Sequence, residues 1–525
     1  MNILVLDHAK IYTGDRLHPW ARSIAIVDGS IVGLDADASA WADAPCAVRE
    51  DMDGATMLPG LIDAHIHLMW YGLSLRELDL RGASREELLA QVAARAAEVP
   101  VGTWIRGRGW DQNVWSDGRF PTAVELDGVA PHHPVALIAK SAHALVANTP
   151  AAQAAGIAAE MPDPPQGKIG RDVTGVPDGM FFEAAMNLIL DAVPEPALGA
   201  VVAALATAQE HLLAAGITGV HDVDDNPAFA AFQELRREGR LRVRVVKYVR
   251  RASLDGVLAA GLRTGFGDDR LRFGGLKLFA DGALGSRTAA LFEPYQGEPD
   301  NVGLLTLEPD QLREIATRAA AGGLAMAIHA IGDRAHRVVL DVLEAVRPLA
   351  PQLRHRIEHV QLIRPEEQRR LARAGVVASM QPVHATHDMA MADRYWGRRT
   401  ANAYAWRSLL EAGATLAFGS DAPIERFDPF QGLYAAVTRR REDGTPGPEG
   451  WHPEQRLTLQ EALRAYTWGA AYAAGMEDRL GLLIPGYHAD LVVLDRDVFR
   501  LPPEALLETR VRRTMVGGRW VRHNT

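Results

Sequence analysis

Six side chains with nitrogen or oxygen donors stand at the ends of apolar, strand-like runs in this chain. The first run, Leu58-Pro59-Gly60-Leu61-Ile62-Asp63-Ala64-His65-Ile66-His67, ends in a His-x-His pair. Side chains along a strand alternate with period two, so both imidazoles face the same side. Two neutral imidazoles together suit a zinc-like cation. A lone His-x-His also arises by chance, so the reading depends on matching donors elsewhere. Lys277 sits inside the apolar run 273–281, His329 ends 324–329, His359 ends His355-Arg356-Ile357-Glu358-His359, and Asp421 follows 416–420. Each has a plainer alternative. Lys277 reads equally as a strand lysine paired with Asp281, Asp421 as a helix N-cap in Ser420-Asp421-Ala422-Pro423, and each isolated His as a satisfied core residue. Their shared place at strand ends favours the metal reading, with the chemistry of an activated water and a polarised carbonyl.

The order His-x-His, Lys, His, His, Asp resembles that of the amidohydrolase superfamily. The segments Trp110-Asp111-Gln112-Asn113, His329-Ala330-Ile331-Gly332-Asp333, Arg356-Ile357-Glu358-His359 and Gly419-Ser420-Asp421-Ala422-Pro423 narrow it. They resemble the N-substituted formamide deformylase-like branch, often called amidohydrolase family 3, along nearly the whole chain. The resemblance implies two divalent ions, one on His65, His67 and Asp421, the other on His329 and His359. Lys277, carboxylated by carbon dioxide, would bridge them, and Asp421 would act as general base. Zinc is the first choice for nitrogen and oxygen ligands, although iron, manganese, nickel and cobalt tolerate the same set.

The implied reaction is hydrolysis of a non-peptide carbon–nitrogen bond, in an N-substituted formamide or related amide. Cyclic amides, ureas and esters are the alternative substrates, because one barrel and one metal centre serve many reactions. A catalytically dead barrel with a binding or regulatory role is the remote alternative, and the full ligand set argues against it. Trp110 and Asp111, with Gln112 and Trp115, form an aromatic-polar cluster suited to a substrate pocket. Relatives usually carry Asp-Gly-His-Ala where this chain has Ser141-Ala142-His143-Ala144; by analogy His143 donates to the substrate carbonyl. Gln381, His384 and His387 follow the seventh strand and are read as facing the mouth, Gln381 as a substrate contact. Alternation turns Glu358 away from His359, into a structural role. Asp333 and Arg334 orient the ligands or cap a helix, and His221 ends the second strand without ligating.

Positioning these groups calls for a parallel α/β architecture. Eight strand-like runs, at 60–67, 216–222, 242–249, 273–280, 324–329, 354–360, 375–381 and 414–420, alternate with Ala- and Leu-rich amphipathic segments. Eight β/α units predict an α/β fold of the (β/α)8 TIM-barrel class, with catalytic groups at the C-terminal strand ends. The barrel is expected over 58–478. Residues 70–215, too long for a loop, are read as an inserted subdomain after strand 1 with a lid or substrate role. Residues 1–57 and 479–525 read as short strands broken by turns, and the resemblance implies one composite β-sandwich from both termini.

Composition restricts the partners. The 525 residues carry a net charge of −10 from interspersed acids and bases, which argues against nucleic acid as a partner. Cys46 is the only cysteine, so intrachain disulfides and thiolate metal clusters are excluded. No apolar run approaches the roughly 20 residues that span a bilayer, and the N-terminus lacks signal-peptide features. A cytoplasmic protein acting on a small molecule, without membrane or nucleic-acid partners, is expected; a homodimer is left open.

Overall fold

The computed structural model of the chain describes residues 1–112, 115–140, 144–165 and 167–523. Its centre is a sheet of eight parallel strands: β1 (Leu61–Ile66), β2 (Ile217–Asp222), β3 (Arg244–Arg250), β4 (Leu271–Phe279), β5 (Met326–Ala330), β6 (Arg356–His359), β7 (Val377–Met380) and β8 (Leu416–Phe418). Each strand pairs with the next in chain order. The ring closes beyond the last strand, where the Asp421 N–H donates to His65 O at 2.7 Å and the His67 N–H to Ala422 O at 2.9 Å. The fold is therefore the TIM barrel that the eight apolar runs predict.

The outer helices form for local reasons. Asp333–Val346 buries Ala335, Val339, Leu340, Val342, Leu343 and Val346 on one stripe with helical spacing. Pro365–Arg373 begins on a proline, with Glu366 and Glu367 in its first turn and Arg370 and Arg373 in its last, so its charges oppose the helix dipole.

Two further sheets lie outside the barrel, the first built from the N-terminal segment and the second from both termini. One runs in the order 30–34, 24–27, 3–7, 47–51; the other runs 519–523, 511–516, 491–494, 56–59, 10–12, 20–21. Ile11, Ile24, Ile26, Met57, Leu491, Val493 and Met515 share one core drawn from both. The N-terminal segment is not strands alone, since Ala36–Ala42 is a helix. Four of its seven residues are alanine, the best helix former, and this local preference prevails over the strand pattern.

By contact density the chain divides into two compact units, Met1–Tyr71 with Leu205–Thr525, and Gly72–Ala204. The second has its own six-stranded sheet, in the order 167–171, 177–183, 144–147, 135–139, 105–110, 78–79. Leu88, Val92, Trp110, Leu126, Leu137 and Val146 lie in its core, beneath helices Arg85–Glu98 and Ala123–Val129 that both start on capping boxes. Among the described residues no helix is long and apolar enough to cross a membrane.

Candidate metal centre

Closure of the barrel brings together groups 356 residues apart in sequence. His65 Nε2 and His67 Nε2 each lie 3.4 Å from Asp421 Oδ1. Asp63 underpins this junction, its Oδ1 accepting the N–H groups of His65 and Ser420, both at 3.0 Å. Gly419 is required there, because a Cβ at that position would stand 2.4 Å from His65 N. Asp421 itself has φ 60°, a left-handed conformation that a non-glycine residue adopts at a cost of order 1–3 kcal/mol.

Both histidines are held from behind by carboxylates. His65 Nδ1 donates to Glu358 Oε2, while Glu358 Oε1 forms a 2.5 Å ion pair with Arg356. His67 Nδ1 donates to Asp224 Oδ1 at 3.1 Å. Asp224 also accepts the N–H groups of Met69 and Trp70, and its backbone carbonyl accepts Lys247 Nζ at 2.6 Å. With protons on Nδ1, both Nε2 atoms present lone pairs towards a carboxylate oxygen, and Asp421 Oδ1 has no hydrogen-bond partner among the described residues. Three converging acceptors repel one another unless a cation lies among them. The donor set fits a divalent ion of the zinc type. The same preference for positive charge is visible at His67. Burial opposes its ionisation, but the hydrogen bond to Asp224 and the negative charge of the nearby Asp421 carboxylate outweigh burial and lift its pKa to about 9.

The other predicted ligands surround this cluster. The ring of His359 lies 4.9 Å from that of His65 and 4.6 Å from that of His329. His359 Nδ1 donates to Gln381 Oε1 at 2.8 Å and His329 Nε2 to Gly282 O at 2.9 Å, leaving one lone pair on each ring. A second convergent trio is His359, His384 and Asp421, with donor atoms all within 4.8 Å; His329 belongs to neither trio. Lys277 is buried, and its Nζ has no hydrogen-bond partner among the described residues. Burial lowers its pKa to about 8. Its alternative partner, Asp281, is occupied by the N–H groups of Ala290, Ile331 and Gly332.

These groups line a cavity of about 350 Å³. Phe279, Leu284, Met391 and Ile424 supply apolar walls, while Gln361, His384, Asp388 and Glu425 supply polar ones. A site of this size admits a small molecule.

Several expectations need correction. Trp110 does not line a pocket; it is fully buried and donates its indole N–H to Leu137 O inside the core of residues 72–204. Trp115 likewise donates to Ala83 O. Asp111, half-buried, lies 3.9 Å from Lys140 in the same unit. Gln381 stands behind His359 and is not among the cavity's lining residues, so it positions a ring. Asn113 and His143 lie outside the described residues. Glu358, expected to be structural because it alternates with His359, holds His65 instead. His359 and Val360 have φ of 74° and 44°, and this turn lets neighbouring residues both reach His65. His221 accepts from Arg356 at 2.6 Å and so supports the guanidinium behind Glu358. Asp224 was missed; its only sequence signal is the acidic run Asp222-Val223-Asp224-Asp225 after β2.

The sequence profile of the amidohydrolase family matches residues 50–522. The N-substituted formamide deformylase of Arthrobacter pascens is 30% identical over 553 aligned residues, spanning 99% of this chain and 98% of that protein. The Arabidopsis thaliana protein LONG AFTER FAR-RED 3 is 33% identical over 94% of this chain and 87% of its own length. The crystal structure of an uncharacterized metal-dependent hydrolase from Pyrococcus horikoshii OT3 superposes with a TM-score of 0.83 at 31% identity, covering 96% and 99% of the two chains.

Proposed function

The chain belongs to the amidohydrolase family and is a hydrolase; from that premise we propose that it uses a divalent metal to cleave a non-peptide carbon–nitrogen bond. The substrate is an N-substituted formamide or a related amide, in line with the deformylase relative. One observation carries the reading: the lone pairs of His65, His67 and Asp421 converge while the outer nitrogen of each histidine is already held by a carboxylate.

His65, His67 and Asp421 would hold one ion, and His329 and His359 would hold a second, with zinc the favoured metal. Such an ion supplies Lewis acidity, which makes water a nucleophile near neutral pH and polarises a carbonyl. Lys277 is the bridge. Its amine, buried, without a hydrogen-bond partner among the described residues and with its pKa lowered to about 8, would add to carbon dioxide and release a proton to solvent, and the resulting carbamate would supply an anionic ligand between the two ions. Asp421 takes a proton from the attacking water and delivers it to the leaving nitrogen. An amide and one water thus yield a carboxylic acid and an amine. Phe279, Leu284, Met391 and Ile424 keep bulk water from the substrate's apolar portion.

The test is metal content alongside formate release from N-substituted formamides. His65→Ala and His67→Ala should each lower metal occupancy and abolish hydrolysis while the barrel stays folded. A double variant with full metal and full activity would overturn the assignment.

A further inference from the structure

The cavity contains a histidine that this metal assignment does not use. His384 lies in helix Pro382–Trp396, which follows β7, and is 7% exposed. Its Nε2 lies 3.8 Å from Asp421 Oδ2, lines the cavity and has no hydrogen-bond partner among the described residues. By position alone it could be a ligand, as a member of the trio with His359 and Asp421.

The partner of the other ring nitrogen decides its chemistry. At His65, His67 and His359 that partner is an oxygen, on Glu358, Asp224 and Gln381, so Nδ1 carries the proton and Nε2 the lone pair. At His384 the partner is the Gln361 amide nitrogen, 3.4 Å from Nδ1. An amide NH2 only donates, so Nδ1 accepts and the ring proton sits on Nε2. A ring in that tautomer cannot bind a metal through Nε2. It presents an N–H to the cavity beside the base.

We propose that His384 is a catalytic hydrogen-bond donor that binds the substrate's carbonyl oxygen and the oxyanion formed from it. The proposal rests on the hydrolase reading above and adds a residue to it. A fixed donor aimed at developing negative charge acts most strongly in a buried site, where no water has to reorganise. Gln361 is the positioning residue, because its amide orientation selects the tautomer. The reverse orientation would place oxygen against Nδ1 and convert His384 into a ligand.

The experiment uses the full chain loaded with Zn2+, with metal measured per chain and turnover measured on formanilide through released aniline. His384→Ala should keep its metal, hold KM nearly constant and lose about 10²–10³-fold in kcat, as for the loss of one oxyanion donor. His384→Gln, which retains an N–H, should recover part of that loss. Gln361→Glu should lower kcat similarly without lowering metal content, because a carboxylate would draw the ring proton to Nδ1. Loss of metal in His384→Ala would make the residue a ligand and overturn the proposal; undiminished kcat would also overturn it. If the unaltered chain does not turn over formanilide, the proposed function fails separately. Metal content of His384→Ala then decides this residue alone, retention supporting a non-ligand and loss refuting it.

Discussion

Asp421 and His65 meet twice: the Asp421 N–H donates to His65 O at 2.7 Å, and Asp421 Oδ1 lies 3.4 Å from His65 Nε2. The contact that closes the barrel also places the candidate base against the candidate ligands. Neither residue can shift without disturbing both the fold and the site.

Asp421→Asn should leave most of the metal bound and remove most turnover. The amide keeps an oxygen at the ligand position but cannot accept a proton, and a general base contributes typically about 10²–10⁴-fold. Metal analysis with kcat checks this; a smaller loss with metal retained would assign the base elsewhere.

Gly419→Ala tests the closure itself. The added methyl would stand 2.4 Å from His65 N and 2.7 Å from Asp63 Oδ1, so β8 must move away from β1. Overpacking of this kind costs about 1–3 kcal/mol. The urea midpoint should fall and metal occupancy should fall with it, although the substituted residue is no ligand.

Glu358→Gln should weaken metal binding by about 10–100-fold, the usual effect of removing a carboxylate behind a ligating histidine. Metal titration of the folded variant provides the measurement. Unchanged affinity would return Glu358 to a purely structural role.

Lys277→Ala should lose metal and activity together, and short carboxylates added to the variant should restore part of both. The unaltered chain should show a carbamate carbon signal after loading with 13C-labelled carbon dioxide. Two bound ions without that signal would refute the bridge.

The Arg244–Asp490 pair sets a pH dependence remote from the metal centre. Arg244 Nε and one of its terminal nitrogens donate to the two Asp490 oxygens at 2.6 and 2.9 Å, and both residues are buried. Burial opposes ionisation of Asp490, but the charge and hydrogen bonds of Arg244 prevail and hold its carboxyl below the usual range. A depressed folded-state pKa contributes stability above the unfolded value of about 4, and that stability is lost as pH falls through the folded value. Asp490→Asn should therefore cost about 3–5 kcal/mol at pH 7, and the difference should shrink below about pH 4. Denaturant unfolding at several pH values tests the sign.

The sequence by itself determined the barrel and the order of its donors, because each strand announces itself locally. A short apolar run with a donor at its end needs no distant information, and eight such runs with helices between them admit few arrangements. The roles of Glu358, Asp224, Gln381 and Trp110 depended on tertiary structure. Alternation separates Glu358 from His359 on the strand, but the left-handed backbone at His359 and Val360 lets both neighbours reach His65. Asp224 acquires its purpose from a histidine 157 residues earlier, and Gln381 from a ring 22 residues earlier on a neighbouring strand. Trp110 looked like a pocket residue because aromatic-polar clusters occur in pockets and cores alike; only packing separates them. Residue types and their spacing record which groups can bind a cation or move a proton. Which nitrogen of each ring remains free is decided by a hydrogen-bond partner that the fold brings from elsewhere in the chain.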